Sequence, residues 1–398
     1  MPAFFSAREY WLSAAAFVLV ASLTVMTGFT SSDPDSALYA GLAARLTDEP
    51  VARWVAPEWW GFWPEAHMTG LFREHPAGIF WAPAALARLG LPAEQSAYVV
   101  GALASLVAIV LLGLIVSRLT TRADARAVVL LVQLMPVAFI FRMRANHEYP
   151  MLVCLLIVII GIDGLRQARW PWLLVAIGLT GGLLIKGVFV SIIVLAAGLW
   201  LVADPLRAGQ GAARQWTGVA LAVLAAIGVA ALYDVQTMAV TGEPFWSAYW
   251  ARQMAPLAIA TPWEDAVAIA SRIWFYVTRL VWHPAPWSLA LVWLAVTRGG
   301  AWRGLAAHER RALVVAISFV VLAVGMLSLP SRFAERYAFS AVFVVGTVGA
   351  IAARRAWPAL AGRLAAADER VPALPAVVWT VLAIGRLMLG PYLPRLQA

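Results

Sequence analysis

Residues 96–116 read SAYVVGALASLVAIVLLGLIV, a run without one acidic or basic side chain. Coiled as a helix it would extend about 31 Å, one hydrocarbon thickness, and a lone strand could not satisfy its backbone in lipid. Working outward, comparable runs stand at Trp11–Phe29 and at about 127–141, 150–165, 172–185, 187–203, 216–233, 281–297, 312–329, 338–353 and 374–390, about eleven candidate spans. With 62% hydrophobic and 13% charged residues, the chain carries more apolar surface than a water-soluble domain can bury. The expectation is an all-α, polytopic membrane protein.

The run Trp11–Phe29 follows a short segment containing Arg8 but is longer than the apolar core of a secretory signal, so it reads as a retained first span. With the N-terminus placed in the cytoplasm, alternate loops collect sixteen of the 30 basic residues, all arginine, against seven acids. That side then carries the whole of the chain's formal charge of +9. Dispersed between apolar runs, these arginines describe topology and exclude a nucleic-acid partner. The single cysteine, Cys154, sits inside an apolar run and leaves no disulfide framework. Two segments on the opposite side, about 30–95 and 234–280, are too long for turns and are rich in tryptophan, proline and acids. The reading is one membrane-embedded domain over residues 1–398, covered on its outer face by those two loops, with amphipathic interfacial helices in the first.

Charge in a bilayer centre costs about 2.5–3.5 kcal/mol on insertion scales, so polar groups at helix ends draw attention. Five clusters fall on the outer side: Ser31 to Ser36 with Asp33 and Asp35; Arg73, Glu74 and His75; Arg142, Arg144, Asn146, His147 and Glu148; Lys186, the chain's sole lysine; and Arg332, Glu335, Arg336 and Tyr337. Taken singly, each has a bland account. Asp33 or Asp35 would cap the amphipathic stretch 37–46, and the cations would snorkel to the interface. Together on one face, carboxylates and cations supply a general base and a phosphate clamp. The same composition suits an anion transporter.

At these residues the chain resembles a known family. DSALYAGLAARL (35–46) is similar to the first-loop signature of GT-C glycosyltransferases of the protein O-mannosyltransferase and lipid A aminoarabinose transferase type: Asp35, Tyr39 and Ala40 match, and Ser36 replaces a Glu. EHPAGIFW (74–81) matches the next motif at Glu74 and Pro76, with His75 where Lys is usual and Ala77 for a second Pro. RMRANHEYPMLV (142–153) resembles a turn in which Arg precedes an acid, here Glu148. LLIKGVF (183–189) matches a Lys-Gly segment, HPAPWSLAL (283–291) a Pro-Trp motif at Pro286 and Trp287, and SRFAERYAFSAVFVV (331–345) an Arg-Tyr motif at Arg336 and Tyr337. The matches keep the family's order from about residue 10 to 355.

The resemblance implies a GT-C type bundle and an inverting transferase that takes a sugar from a polyprenyl-phosphate donor to an envelope acceptor, whether lipid, glycan or protein. It acts on the extracytoplasmic face of the cell's inner membrane. By the same resemblance Asp35 takes the catalytic place, with Asp33 and Glu148 as further catalytic acids. His75, Arg144, Lys186, Arg336 and Tyr337 contact the donor phosphate, supported by Glu74, His147 and Arg332. It implies no certain cofactor. A divalent metal at His147 and Glu74 is the weaker alternative to a hydrogen-bonded His and Glu pair. The rival class is a transporter or flippase of a lipid-linked or anionic substrate, for which midplane charges and repeated halves would be expected; the sequence has neither.

Overall fold

The computed structural model describes residues 33–59, 70–133, 135–203, 211–254, 262–297, 305–330, 333–357 and 359. The runs Trp11–Phe29 and 374–390, and Arg332, lie outside the described residues. Elsewhere helices stand where the apolar runs are: α1 (Pro34–Asp48), α2 (Gly78–Arg88), α3 (Ala93–Leu119), α4 (Arg122–Gln133), α5 (Pro136–Arg142), α6 (Glu148–Gly164), α7 (Trp172–Lys186), α8 (Val190–Ala203), α9 (Ala212–Thr241), α10 (Phe245–Met254), α11 (Pro262–Trp282), α12 (Trp287–Thr297), α13 (Ala307–Ser328) and α14 (Phe339–Ala356). The described residues contain no strand beyond one isolated bridge, Glu58 with Leu71.

Five described helical runs, counting Trp172–Ala203 as one, are long and apolar enough to cross a membrane, or six when a bent pair is joined. The other expected spans form shorter pieces. The run 127–141 divides into α4 and α5, with Pro136 at the first position of α5, where a missing N–H costs nothing. The run 281–297 starts within α11, which meets α12 at 93°. α7 and α8 are joined through a 3-10 turn, Gly187–Phe189. A Cβ on Gly182 would stand 2.5 Å from Ile193 Cδ1; along a straight helix those positions would be about 16 Å apart, so the chain doubles back at this turn.

α6 is the centre, packed on α3, α7 and α8, with a core of Leu152, Leu155, Val158 and Ile159. α9 presents Leu221, Leu224, Ile227, Leu232 and Val235 outward. Such a stripe would aggregate in water, and in a bilayer it is the solvated face. The first long loop folds into α1, α2 and a 3-10 turn around Tyr39, Leu42, Leu46, Trp59, Phe72 and Phe80, and lies over the ends of α3 and α7.

Candidate active site

The first turn of α1 organises the site. Asp33 caps it: its Oδ2 accepts from Ser36 N at 3.1 Å and from Ser36 Oγ at 2.7 Å, and Pro34 holds the first helical position. Asp33 is buried and lies 3.9 Å from Arg144 Nη1. Ser36 Oγ accepts from Ala145 N at 3.2 Å, so the turn between α5 and α6 docks on this cap. Gly101 of α3 makes room for it, since a Cβ there would meet Arg144 O at 2.6 Å. Asp35, two positions beyond the cap, points elsewhere and forms an ion pair with Arg336 from the turn before α14, both side chains being partly accessible.

One turn further along α1, Tyr39 joins two more clusters. Its hydroxyl is 2.9 Å from His75 Nε2 and 3.5 Å from Lys186 Nζ. His75 Nδ1 is 3.1 Å from Pro76 O, and a carbonyl only accepts, so Nδ1 carries the proton. Nε2 then accepts from the Tyr39 hydroxyl, whose oxygen is left to accept from Lys186. Burial, and then the Lys186 charge, hold the His75 pKa well below its ordinary value. The ring is neutral with both nitrogens engaged, and it orients Tyr39 instead of offering a cation. Lys186 is buried, with its ammonium 5.8 Å from the ring centres of both Phe189 and Tyr337. Gly187 turns the chain after it at φ +59°, and a Cβ there would fall 2.3 Å from Tyr249 Oη.

The two long loops are clasped together. Glu74 pairs with Arg252 of α10 at 2.5 Å, and Arg73 pairs with Glu243 at 2.8 Å. Tyr233 Oη accepts from Ala77 N and donates to Val55 O, each at 2.9 Å. Tyr249 Oη accepts from Val188 N at 2.8 Å. Glu148 is buried at the first turn of α6, and burial, then the Lys186 charge, lower the pKa of His147 before it well below its ordinary value. His147 Nε2 is 3.9 Å from Glu148 Oε1, beyond hydrogen-bond reach. Among the described residues no three His, Cys, Asp or Glu side chains gather as a metal site.

All five expected clusters thus meet around α1: Asp33 with Arg144, Asp35 with Arg336, and Tyr39 with both His75 and Lys186. Glu74, next to His75, faces α10. Sequence reasoning did not single out Arg252, Tyr233 or Tyr249. The only signal near them was the aromatic richness of the second long loop.

The comparisons with known proteins agree with this architecture. The structure superimposes on ArnT from Cupriavidus metallidurans in the apo state with a TM-score of 0.63 and 14% identity over 88% of this chain and 61% of that one. It does the same on that protein bound to undecaprenyl phosphate, with a TM-score of 0.63 and 15% identity over 97% and 66%. The chain has the fold of a GT-C glycosyltransferase. Within it, residues 74–233 match the family described as dolichyl-phosphate-mannose-protein mannosyltransferase. The chain spans less than two thirds of the length of the ArnT structures, and no curated protein sequence matches it.

Proposed function

We propose that the chain transfers a sugar from a polyprenyl-phosphate carrier to an envelope acceptor on the extracytoplasmic side of the inner membrane, with inversion and with Asp35 as general base. The observation that carries this reading is the division of labour at α1. Asp33 is consumed in capping and in holding Arg144, whereas Asp35 stays accessible beside a guanidinium. A guanidinium has five donors and bridges a carboxylate and a phosphate at once. Arg336 therefore holds the donor phosphate next to the base. Lys186, with Tyr39 and Tyr337 against it, stabilises the charge that grows on the phosphate as the glycosidic bond breaks. Asp35 takes the proton of an acceptor hydroxyl that attacks the anomeric carbon from the opposite face. Arg144, Asp33 and His75 act as positioning residues behind this set. Support comes from the ArnT fold, one example of which binds undecaprenyl phosphate, and from the family match beginning at Glu74.

The test is transfer by the purified chain in lipid nanodiscs, with mannosyl, glucosyl and arabinosyl undecaprenyl phosphate as donors and extracted envelope glycolipid or protein as acceptor. Asp35→Asn should lower the rate about 10²–10⁴-fold, the contribution of a positioned base. Full activity in that variant refutes the assignment.

A further inference from the structure

Three consecutive residues between α5 and α6 each leave a polar atom without a partner although the side chains are almost wholly buried. These atoms are Asn146 Nδ2, His147 Nδ1 and Glu148 Oε1. Their backbone is tightly held. Ala145 N donates to Ser36 Oγ, Asn146 Oδ1 accepts from His147 N at 2.8 Å, and α3 supports Arg144 at Gly101. Buried polar groups are normally satisfied, and a fixed cluster of orphans marks a place where a partner is missing. The chemistry of the set identifies the partner. An amide N–H₂ only donates, a carboxylate only accepts, and a neutral imidazole nitrogen does one or the other. A phosphate, with acceptors alone, would answer Asn146 Nδ2 and the neighbouring Arg144 Nε but not the mixed row as a whole. A sugar hydroxyl both donates and accepts, and adjacent hydroxyls on one ring match a mixed row. The row is adjacent to the phosphate side of the site, because the His147 ring centre is 6.3 Å from that of Tyr39, which contacts Lys186.

We infer that Asn146, His147 and Glu148 form the subsite that reads the hydroxyls of the transferred sugar, and that this sugar is polyhydroxylated. The inference rests on the proposed donor class and deepens it by separating a sugar-reading turn from the phosphate-holding residues Lys186 and Arg336.

The experiment is direct binding by the full chain in nanodiscs of undecaprenyl phosphate alone and of its mannosyl, glucosyl and arabinosyl forms. The wild type should bind at least one sugar-bearing lipid more tightly than the bare lipid. Asn146→Ala should weaken that lipid about tenfold, the size expected when a buried partner of a hydroxyl is lost, and leave the bare lipid within about twofold. Asn146→Asp keeps the Oδ1 that accepts from His147 N, removes the orphan donor and adds a negative charge, so if the alanine variant does not fold it should weaken the sugar-bearing lipid by a larger factor than the bare lipid. Equal weakening of bare and sugar-bearing lipids overturns the inference, because a merely structural role would lower both. So does unchanged binding of either. Wild-type protein that binds the bare lipid but prefers no sugar form sinks the sugar subsite alone, whereas wild-type protein that binds no prenyl phosphate sinks the proposed donor with it.

Discussion

The two ends of the bundle treat charge differently. At the end that carries α1, the ionisable groups Asp33, His75, Arg144, His147, Glu148 and Lys186 are buried, and several polar atoms there lack partners. At the other end, reached along α3 and α6, arginines meet acids at partly accessible positions, Arg118 on Asp163, Arg354 on Asp124 and Arg355 on Glu309, with Arg166 set more deeply against Asp163. An apolar cavity of about 310 Å³, lined by α3, α6, α13 and α14, runs up to Glu309 and Arg355 there. The second end needs only water and countercharge to be stable. The first retains charge where desolvation opposes it, which a chain does where chemistry requires it. On the proposed function, the contrast separates arginines that set topology from cations that serve a site.

The strongest way to break this comparison is at Asp35, where Asp35→Asn should cost about 10²–10⁴-fold in transfer while thermal stability stays near wild type, because Asp33 is the cap. Stability falling with activity would make Asp35 structural. Next is Lys186. Lys186→Met preserves a long apolar stem against Phe189 and Tyr337 but removes the charge, and should lower kcat about 10²–10³-fold. An unchanged kcat with a raised KM would restrict Lys186 to ground-state binding.

A smaller effect comes from pH. His75 and His147 are neutral in the folded chain because burial lowers their pKa, whereas the unfolded chain protonates them near pH 6.5. The unfolded state therefore binds more protons as pH falls below that value. Stability should drop on acidification, by up to about 1.4 kcal/mol per pH unit for each histidine. Melting of the purified protein from pH 7.5 to 5.5 measures it, and His75→Gln should flatten the slope. A slope unaffected by that change would place the titrating groups elsewhere.

Much of this was legible before any coordinates. Apolar runs locate the helices because lipid demands satisfied backbones, and the five polar clusters stand out because charge at helix ends is conspicuous in so apolar a chain. The roles within a cluster were not legible. By residue type either Asp33 or Asp35 could cap α1, and the helix start at Pro34 decides for Asp33. His75 stands where a lysine is usual, yet the Pro76 carbonyl and the Tyr39 hydroxyl make it a neutral hydrogen-bonding element. Arg252 closes on Glu74 across the fold, a long-range pairing that local pattern does not encode.

The weakest perturbation is the most discriminating, because it tests the end of the bundle expected to be silent. Arg355 is partly exposed and its pair with Glu309 lies beside the cavity mouth. An exposed ion pair contributes about 0–1 kcal/mol, since water and salt replace much of what the partner provides. Arg355→Gln should therefore shift the melting midpoint only slightly and leave kcat and KM for the donor unchanged, with the effect vanishing at high salt. A large loss of transfer in that variant would mean that the arginine-rich end is coupled to the chemistry, and the division between topological and functional charge would have to be redrawn.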